Sequence, residues 1–325
     1  MNPSLPRAIV LTAGLGTRLD PLTRGRAKPA VPVAGTPLVL RVLQWLARQQ
    51  VHEVVLNLHY KPETITRYVG HGAGAGVAVR YSWEPTILGT AGGPREAIEL
   101  LGPRFFVING DTLTDLDLAQ MRTAHEARGA AVTMAMMSNP APERYGGATV
   151  DSDGWVEGFA PAGKGSPFHF VGVQLMEASV LASVPKGQPA ETIGGVYDTL
   201  LAEQPRSVYA HVVDTRFHDI GTPGDYLATS LALAATDGHV TCPIGARSVV
   251  HPTAILTRTA IWDEVLIGEG CRLTECVFAD HAVLPPHSVF ERQAIVSAEG
   301  RAPRDHERQL GDLLLTPIDG RPLKV

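Results

Sequence analysis

The chain has 325 residues, of which 44% are hydrophobic and 19% charged, and a formal net charge of −5. This composition is typical of a globular protein long enough for two domains, and the negative charge argues against a nucleic-acid partner, which would need a basic face. The chain has no apolar run of about eighteen residues and no signal-peptide order at its start, so we expect a cytoplasmic protein with no membrane partner.

Short apolar runs alternate with helical patterns over the first two thirds of the chain, which predicts an α/β domain with a mostly parallel sheet. In chain order, strands are predicted at residues 8–11, 54–58, 77–81, 105–108, 131–136 and 168–173. Helices are predicted at residues 38–49, 62–69 and 92–101, and a further one around Tyr226. Because open α/β sheets bind ligands at the carboxyl ends of their strands, the segments directly after the strands are the first candidates for a site.

A hexad repeat begins after about residue 236. The repeat predicts a β-helix, and eight hexads at three per coil give fewer than three coils. We predict a first domain over residues 1–236, a short β-helix over 240–296 and a tail over 297–325. An open β-helix end needs a cap or a partner, which favours a homo-oligomer formed through the β-helix. The apolar hexad positions, with one slip of a residue between the two series, are Ile244, Val250, Leu256 and Trp262, then Ile267, Leu273, Ala279 and Pro285.

The segment after the first strand combines glycines with fixed cations. Gly14 and Gly16 permit a close backbone approach, so amide N–H groups can point at phosphate oxygens. Arg18 adds a planar guanidinium group and Lys28 a compact ammonium group. The pattern is neither a P-loop nor the dinucleotide fingerprint, because Leu19 stands at the place of the last fingerprint glycine. The segment therefore predicts a phosphate-binding site of another kind.

Residues 11–23, followed by Ala27-Lys28-Pro29, resemble the signature of the sugar-1-phosphate nucleotidyltransferases, also called nucleotide-sugar pyrophosphorylases. Motifs at residues 88–92, 107–111 and 219–223 follow in the family's order, so the resemblance covers about the first 230 residues. It implies a Rossmann-like domain followed by a left-handed β-helix. It also implies an enzyme that transfers a nucleotidyl group from a nucleoside triphosphate to a sugar-1-phosphate and releases pyrophosphate.

The resemblance implies roles for individual residues. Arg18, Lys28 and Asp111 would be catalytic, and Asp111 and Asp219 would bind Mg²⁺, an ion that prefers oxygen ligands. The attacking phosphate oxygen is already an anion, so the reaction needs alignment of two polyanions and neutralisation of charge rather than a general base. The nucleotide-binding residues would be Leu11, Ala13, Gly14, Gly16, Thr17, Arg18, Lys28, Gly89 and Thr90.

The base and the sugar are predicted from fewer residues. Residues 88–92, Leu-Gly-Thr-Ala-Gly, resemble the guanylyltransferase form of their motif, which predicts GTP, with UTP or dTTP as alternatives. Tyr145-Gly146 matches the family's sugar motif. However, Ala-Pro-Ala at residues 160–162 replaces the family's Glu-Lys-Pro, and Phe-Val-Gly at 170–172 replaces its Asn-Ala-Gly. Gly146, Lys164 and Glu191 are the sugar-binding candidates.

The predicted reaction joins GTP to mannose-1-phosphate and gives GDP-mannose. One alternative is a uridylyl- or thymidylyltransferase acting on glucose-1-phosphate or another sugar-1-phosphate. Another is a non-catalytic regulatory subunit of such an enzyme. A regulatory subunit would be expected to lose one of four residues that this chain retains, namely Arg18, Lys28, Asp111 and Asp219.

Overall fold

The computed structural model describes residues 5–238 and 242–318, and these residues divide into two compact units. The first unit contains the described residues up to Gly14 and Val39–His218. The second contains Leu15–Leu38 and the described residues from Asp219 onward. The predicted start of the β-helix at residue 240, the last seven residues of the predicted tail and the first four residues of the chain lie outside the described ranges. The predicted domain boundaries stay predictions.

Residues 7–236 contain both strands and helices, and each predicted strand is present. In chain order the elements are β1 (Arg7–Leu11), β2 (Pro32–Val33), β3 (Thr36–Pro37), α1 (Leu38–Arg48), β4 (Glu53–Leu58), α2 (Pro62–Val69), β5 (Ala78–Trp83), α3 (Gly89–Glu96), α4 (Ile98–Leu101), β6 (Arg104–Asn109), β7 (Thr112–Thr114), α5 (Leu118–Arg128), β8 (Val132–Ser138), β9 (Gly147–Val150), β10 (Val156–Ala160), β11 (Phe168–Glu177), α6 (Tyr197–Glu203), β12 (Val208–Val212), β13 (Phe217–Asp219) and α7 (Pro223–Thr236).

A mixed sheet forms the centre of the first unit, with the strand order β10-β9-β11-β6-β1-β4-β5 and with β8 paired to β11 and β12. Its central strands β6, β1, β4 and β5 are parallel neighbours, which confirms the predicted α/β fold. Ala8, Ile9 and Val10 have no exposed surface, as expected of a strand covered on both faces. The strand ends are aligned, because Leu11 is the register partner of both Asn57 and Asn109.

The helix predicted at residues 92–101 is wrong in its bounds. The structure has two helices instead, because α3 begins at Gly89 and the chain leaves helical geometry at Ala97 before α4. Glycines and Pro94 give the α3 sequence a low helix propensity, so local patterning predicts a loop at its start. The first turn is stabilised from outside the helix, since the amides of Ala91 and Gly92 both donate to the carbonyl of Ala190, at 2.9 and 3.1 Å.

A short parallel β-helix follows α7 in the second unit. Partner residues on each face are 17 apart, as in Ile261, Phe278 and Ile295, so one coil has 17 residues. Its strands, given by face within the described residues, are β14 (Val249–Val250), β17 (Leu266–Ile267) and β20 (Val283–Leu284); β15 (Ile255–Thr257), β18 (Arg272–Thr274) and β21 (Val289–Glu291); and β16 (Ala260–Ile261), β19 (Val277–Phe278) and β22 (Gln293–Ser297), extended by β24 (Leu313–Pro317) and β23 (Arg308–Leu310).

The predicted hexad spacing with a single slip is wrong on the third face of two coils and on the first face of the coil that follows them. The slip recurs in each coil, so Ile261 and Phe278 fill core positions that the hexads assign to Trp262 and Ala279. For the same reason Leu284 replaces Pro285 in the core. Trp262 is buried elsewhere in the second unit, where its indole N–H donates to the Tyr226 hydroxyl at 2.7 Å. The left-handed sense of the β-helix stays a prediction.

Part of the tail closes the third face of the β-helix. β23 and β24 form an antiparallel hairpin, and β24 pairs with β22, the last strand of that face. Leu313 and Leu315 join the buried core of the β-helix. The hairpin thus covers an edge that would otherwise expose unpaired backbone groups. Among the helices of the described residues, none has the length and apolar character needed to cross a bilayer.

Candidate active site

The carboxyl ends of β1 and β6 meet at the edge of the sheet where α/β proteins bind ligands. The amide of Gly110 donates to the carbonyl of Leu11 at 3.1 Å. A side chain at position 110 would overlap that carbonyl oxygen, so glycine is required for this approach. Asp111 follows directly and is half-buried. The structure therefore places a predicted metal ligand next to the strand end that begins the predicted nucleotide-binding segment.

A buried carboxylate, which no sequence motif predicted, links this strand end to the loop before α3. Glu84 has no exposed surface. Its two oxygens accept hydrogen bonds from the Asn57 side chain at 2.7 Å and from the Leu88 amide at 3.0 Å. Asn57 in turn accepts a hydrogen bond from the Thr12 amide at 2.6 Å. The network joins residues 11–14 to residues 88–92, the two segments that the family resemblance implies for the nucleotide.

Glu191, a predicted sugar ligand, contacts the loop at residues 88–92. Its carboxylate accepts hydrogen bonds from the hydroxyl and the amide of Thr90, at 2.6 and 3.2 Å. The amide of Thr192 donates to the same hydroxyl oxygen at 2.8 Å. Gly89 has a φ of +77°, and an added Cβ would lie 2.5 Å from a Glu191 oxygen, so the position requires glycine on two grounds. The structure brings Gly89, Thr90 and Glu191 together, and a contact of Glu191 with sugar stays a prediction.

Gly146 lies against the residues that replace the family's Glu-Lys-Pro. A Cβ at Gly146 would be 2.9 Å from the carbonyl oxygen of Ala160. The carbonyl of Gly146 accepts a hydrogen bond from His169 Nδ1 at 3.1 Å, and the His169 ring lies 4.6 Å from the Tyr145 ring. Lys164 is exposed in the turn that follows β10. Two aromatic rings thus lie beside Gly146, and the sugar-binding roles of Gly146 and Lys164 stay predictions.

In the second unit, the glycine turn packs against a predicted catalytic lysine. Gly16 has a φ of +66° and precedes a 3₁₀ turn at Thr17–Leu19. An added Cβ would lie 3.0 Å from Cβ of Lys28 and 2.9 Å from a methyl carbon of Thr23. Lys28 is buried, whereas Thr17 and Arg18 are exposed on the 3₁₀ turn. The structure therefore brings Gly16 and Lys28 together and places Arg18 on the 3₁₀ turn that follows Gly16.

Arg18 and Asp219 meet around Gly221. A Cβ added to Gly221 would lie 3.2 Å from Arg18 Nη1, 3.1 Å from Asp219 Oδ2 and 3.2 Å from Asp225 Oδ2. Asp225 also forms a capping box with Thr222 at the start of α7. A guanidinium group and a predicted metal-binding carboxylate thus surround one glycine. The helix was predicted from the sequence, but no role was predicted for Gly221 or Asp225.

The two carboxylates predicted to bind a metal have the oxygen chemistry that Mg²⁺ prefers. Asp111 and Asp219 are both half-buried, and each stands at or just beyond the end of a strand. Mg²⁺ takes one or two carboxylates together with phosphate oxygens and water. A further cluster, Asp20, His306 and Glu307, brings its ligand atoms within 4.8 Å of one another. Its carboxylates already accept hydrogen bonds from the guanidinium groups of Arg24 and Arg304, which disfavours a cation there.

Two titratable side chains near β13 have shifted pKa values. Burial alone would raise the pKa of Asp115, but hydrogen bonds from Thr215 and Arg216 outweigh it and lower this pKa to about 2. Burial, aided by the positive charge of Arg216, lowers the pKa of His218. His218 is therefore neutral at pH 7, and Asp115 is ionised.

The parallel sheet and the glycines at the carboxyl ends of its strands define an α/β domain with its candidate site where open α/β sheets bind ligands. Residues 7–236 match the family model described as nucleotidyl transferase. The chain is 31% identical over 299 residues to the mannose-1-phosphate guanylyltransferase of Mycobacterium tuberculosis, covering 88% of this chain and 83% of that protein. It is 30% identical over 274 residues to mannose-1-phosphate guanylyltransferase 1 of Arabidopsis thaliana, covering 82% and 74%.

The crystal structure of HddC from Yersinia pseudotuberculosis resembles the fold with a TM-score of 0.62 and 25% identity, covering 70% of this chain and all of that one. The chain therefore belongs to the nucleotidyl transferase family, as an enzyme of the sugar-1-phosphate nucleotidyltransferase type. The family predicted from the sequence motifs is confirmed.

Proposed function

We propose that the enzyme transfers a guanylyl group from GTP to mannose-1-phosphate, giving GDP-mannose and pyrophosphate. The proposal is supported chiefly by the 30–31% identity, over more than four fifths of the chain, to mannose-1-phosphate guanylyltransferases. These relatives favour GTP over UTP or dTTP. Retention of Arg18, Lys28, Asp111 and Asp219 favours a catalytic chain over a regulatory subunit.

In the proposed mechanism the protein aligns two polyanions and offsets their charge. The backbone of residues 11–16 binds the nucleotide phosphates, and Arg18 and Lys28 neutralise the leaving pyrophosphate. Mg²⁺, when bound by Asp111 and Asp219, would supply further charge neutralisation on the phosphates. The sugar phosphate is ionised at pH 7, so no residue has to remove a proton from it.

The loop at residues 88–92 is the proposed base-binding element. Glu84 fixes the start of this loop by accepting a hydrogen bond from the Leu88 amide, and Glu191 fixes Thr90 by accepting one from its hydroxyl. Because both carboxylates are engaged by the protein, the loop is fixed before the nucleotide arrives, which lowers the entropic cost of binding. The predicted cytoplasmic location and the predicted homo-oligomer stay part of the proposal.

The test is a panel assay of pyrophosphate release. The purified protein is incubated with Mg²⁺, each of five nucleoside triphosphates and a set of sugar-1-phosphates. We expect the highest kcat/KM for GTP with mannose-1-phosphate. Greater activity with another pair would refute the proposed specificity, and silence across the panel, with EDTA-treated protein as the blank, would refute the proposed activity.

A further inference from the structure

The guanidinium of Arg26 connects the segment that carries Arg18 and Lys28 to the β-helix, within the second unit. Arg26 is only 3% exposed. Its Nη2 donates to Asp263 and to Asp280, each at 2.6 Å, and its Nε donates to the other oxygen of Asp280 at 2.5 Å. Two carboxylates from different coils therefore fix one guanidinium group, with a bidentate contact to Asp280.

The two carboxylates are themselves oriented by the β-helix. Asp263 and Asp280 are 17 residues apart and thus occupy the same position in successive coils. The amide of Asp263 donates to Asp280 Oδ1 at 3.1 Å, and the amide of Ala246, one coil earlier, donates to Asp263 Oδ1 at 2.8 Å. The core of these coils is filled by the neighbouring residues Ile261 and Phe278. The two aspartates therefore face Arg26 without a part in the hydrophobic core.

Arg26 also contacts the turn that contains Lys28. Its Nη1 donates to the carbonyl of Ala30 at 3.4 Å, and Lys28–Ala30 is a 3₁₀ turn. Gly16 packs against this turn at Cβ of Lys28. The position of Lys28 relative to the glycine turn is thus connected to the β-helix through one side chain.

We propose that Asp263 and Asp280 are positioning residues for nucleotidyl transfer, which hold Lys28 in its reactive place through Arg26. The inference rests on the proposed function, because it takes Lys28 as a ligand of the nucleotide phosphates. It gives the β-helix a part in catalysis beyond the oligomerisation expected from sequence. A displacement of reacting groups by about 1 Å can lower a rate by about 10²-fold, so this support has a measurable effect.

A purely stabilising role for these ion pairs predicts a different result. Buried ion pairs often add little net stability, and breaking one leaves a charge without its partner. Such a change would lower the Tm and the amount of folded protein. It would leave kcat per folded molecule unchanged even where exchange in residues 24–33 rises, so a rise in exchange with a wild-type kcat would overturn the positioning role.

The experiment compares Asp263→Asn, Asp280→Asn and the double variant in the full chain. Glu264→Gln is the matched control, because it removes the carboxylate next to Asp263 whose partners Arg247 and His281 belong to the β-helix. Two quantities are measured: kcat for pyrophosphate release, and hydrogen–deuterium exchange of the peptide spanning residues 24–33. We expect the double variant to lower kcat by about tenfold or more and to raise exchange in this peptide. Glu264→Gln should change neither.

Each outcome decides the proposal. A double variant with the exchange and kcat of the control overturns it, and so does a fall in kcat without a change in exchange. Where the double variant does not fold, Asp263→Asn decides alone, since it keeps the bidentate Asp280 contact and should give a smaller change in the same direction. A wild-type chain without pyrophosphate release would refute the proposed function, whereas the exchange result would still test the connection through Arg26.

Discussion

Gly221→Ala is the smallest change that disturbs Arg18 and Asp219 together. The new methyl group would lie 3.1–3.2 Å from their charged atoms and from Asp225, which is 0.2–0.3 Å inside an ordinary contact of 3.4 Å. The φ of Gly221 is not positive, so the backbone accepts alanine and the side chains have to move. Since a shift of about 1 Å can cost about 10²-fold in rate, we expect a few tenths of an ångström to lower kcat by about tenfold.

The matched control is Gly224→Ala, three residues later in α7. There the added Cβ meets Ile318 at 3.5 Å, an ordinary contact, and alanine favours the helix by up to about 1 kcal/mol. Both variants are assayed for pyrophosphate release at saturating substrates and for thermal unfolding. We expect Gly224→Ala to keep the wild-type kcat and Gly221→Ala to lose rate with little change in Tm. A wild-type kcat for Gly221→Ala would refute the role of Arg18 and Asp219 as a functional pair.

Three further predictions concern other parts of the first and second units. Arg18→Ala should lower kcat by roughly 10²–10³, as expected for the loss of one preorganised donor, and a near-wild-type rate in steady-state assays would contradict its role. Gly89→Ala should raise the KM for the triphosphate about tenfold by displacing Glu191. Gly187 has a similar φ of +75°, but a Cβ added there would have no atom within 4 Å, so Gly187→Ala should leave this KM unchanged. The ionised Asp115 should stabilise the fold above its unfolded pKa of 3.8, and this contribution should disappear as the pH falls towards its folded pKa of about 2. The Tm difference between the wild type and Asp115→Asn should therefore be present at pH 5 and should shrink towards zero as the pH approaches 2. A difference that stays constant over this range would contradict the lowered pKa of Asp115.

The central sheet is predictable because buried parallel strands leave continuous apolar runs. Residues 8–10 are the clearest example, since each is fully buried and none is polar. The start of α3 is not predictable in this way. Its glycines disfavour a helix, and the turn forms because a carbonyl at Ala190, a hundred residues away, accepts its first amides.

The β-helix is predictable in kind but not in its spacing. Trp262 is apolar and falls on the hexad, but it packs against Tyr226 rather than inside the coil. The five-residue step to Ile261 therefore has no signal in a six-residue pattern. Glu84 contacts Asn57, and Arg26 contacts Asp280. Each pair lies far apart in the sequence, so no local sequence motif predicts these contacts.

The most direct test of the account follows the label from GTP carrying ³²P in its α-phosphate. The enzyme is incubated with this GTP, Mg²⁺ and mannose-1-phosphate, and the products are separated and identified by mass. We predict that the label appears in GDP-mannose, with one pyrophosphate released for each molecule formed. Label that stays in GTP, or that appears only as free GMP, would contradict the proposed guanylyl transfer to mannose-1-phosphate.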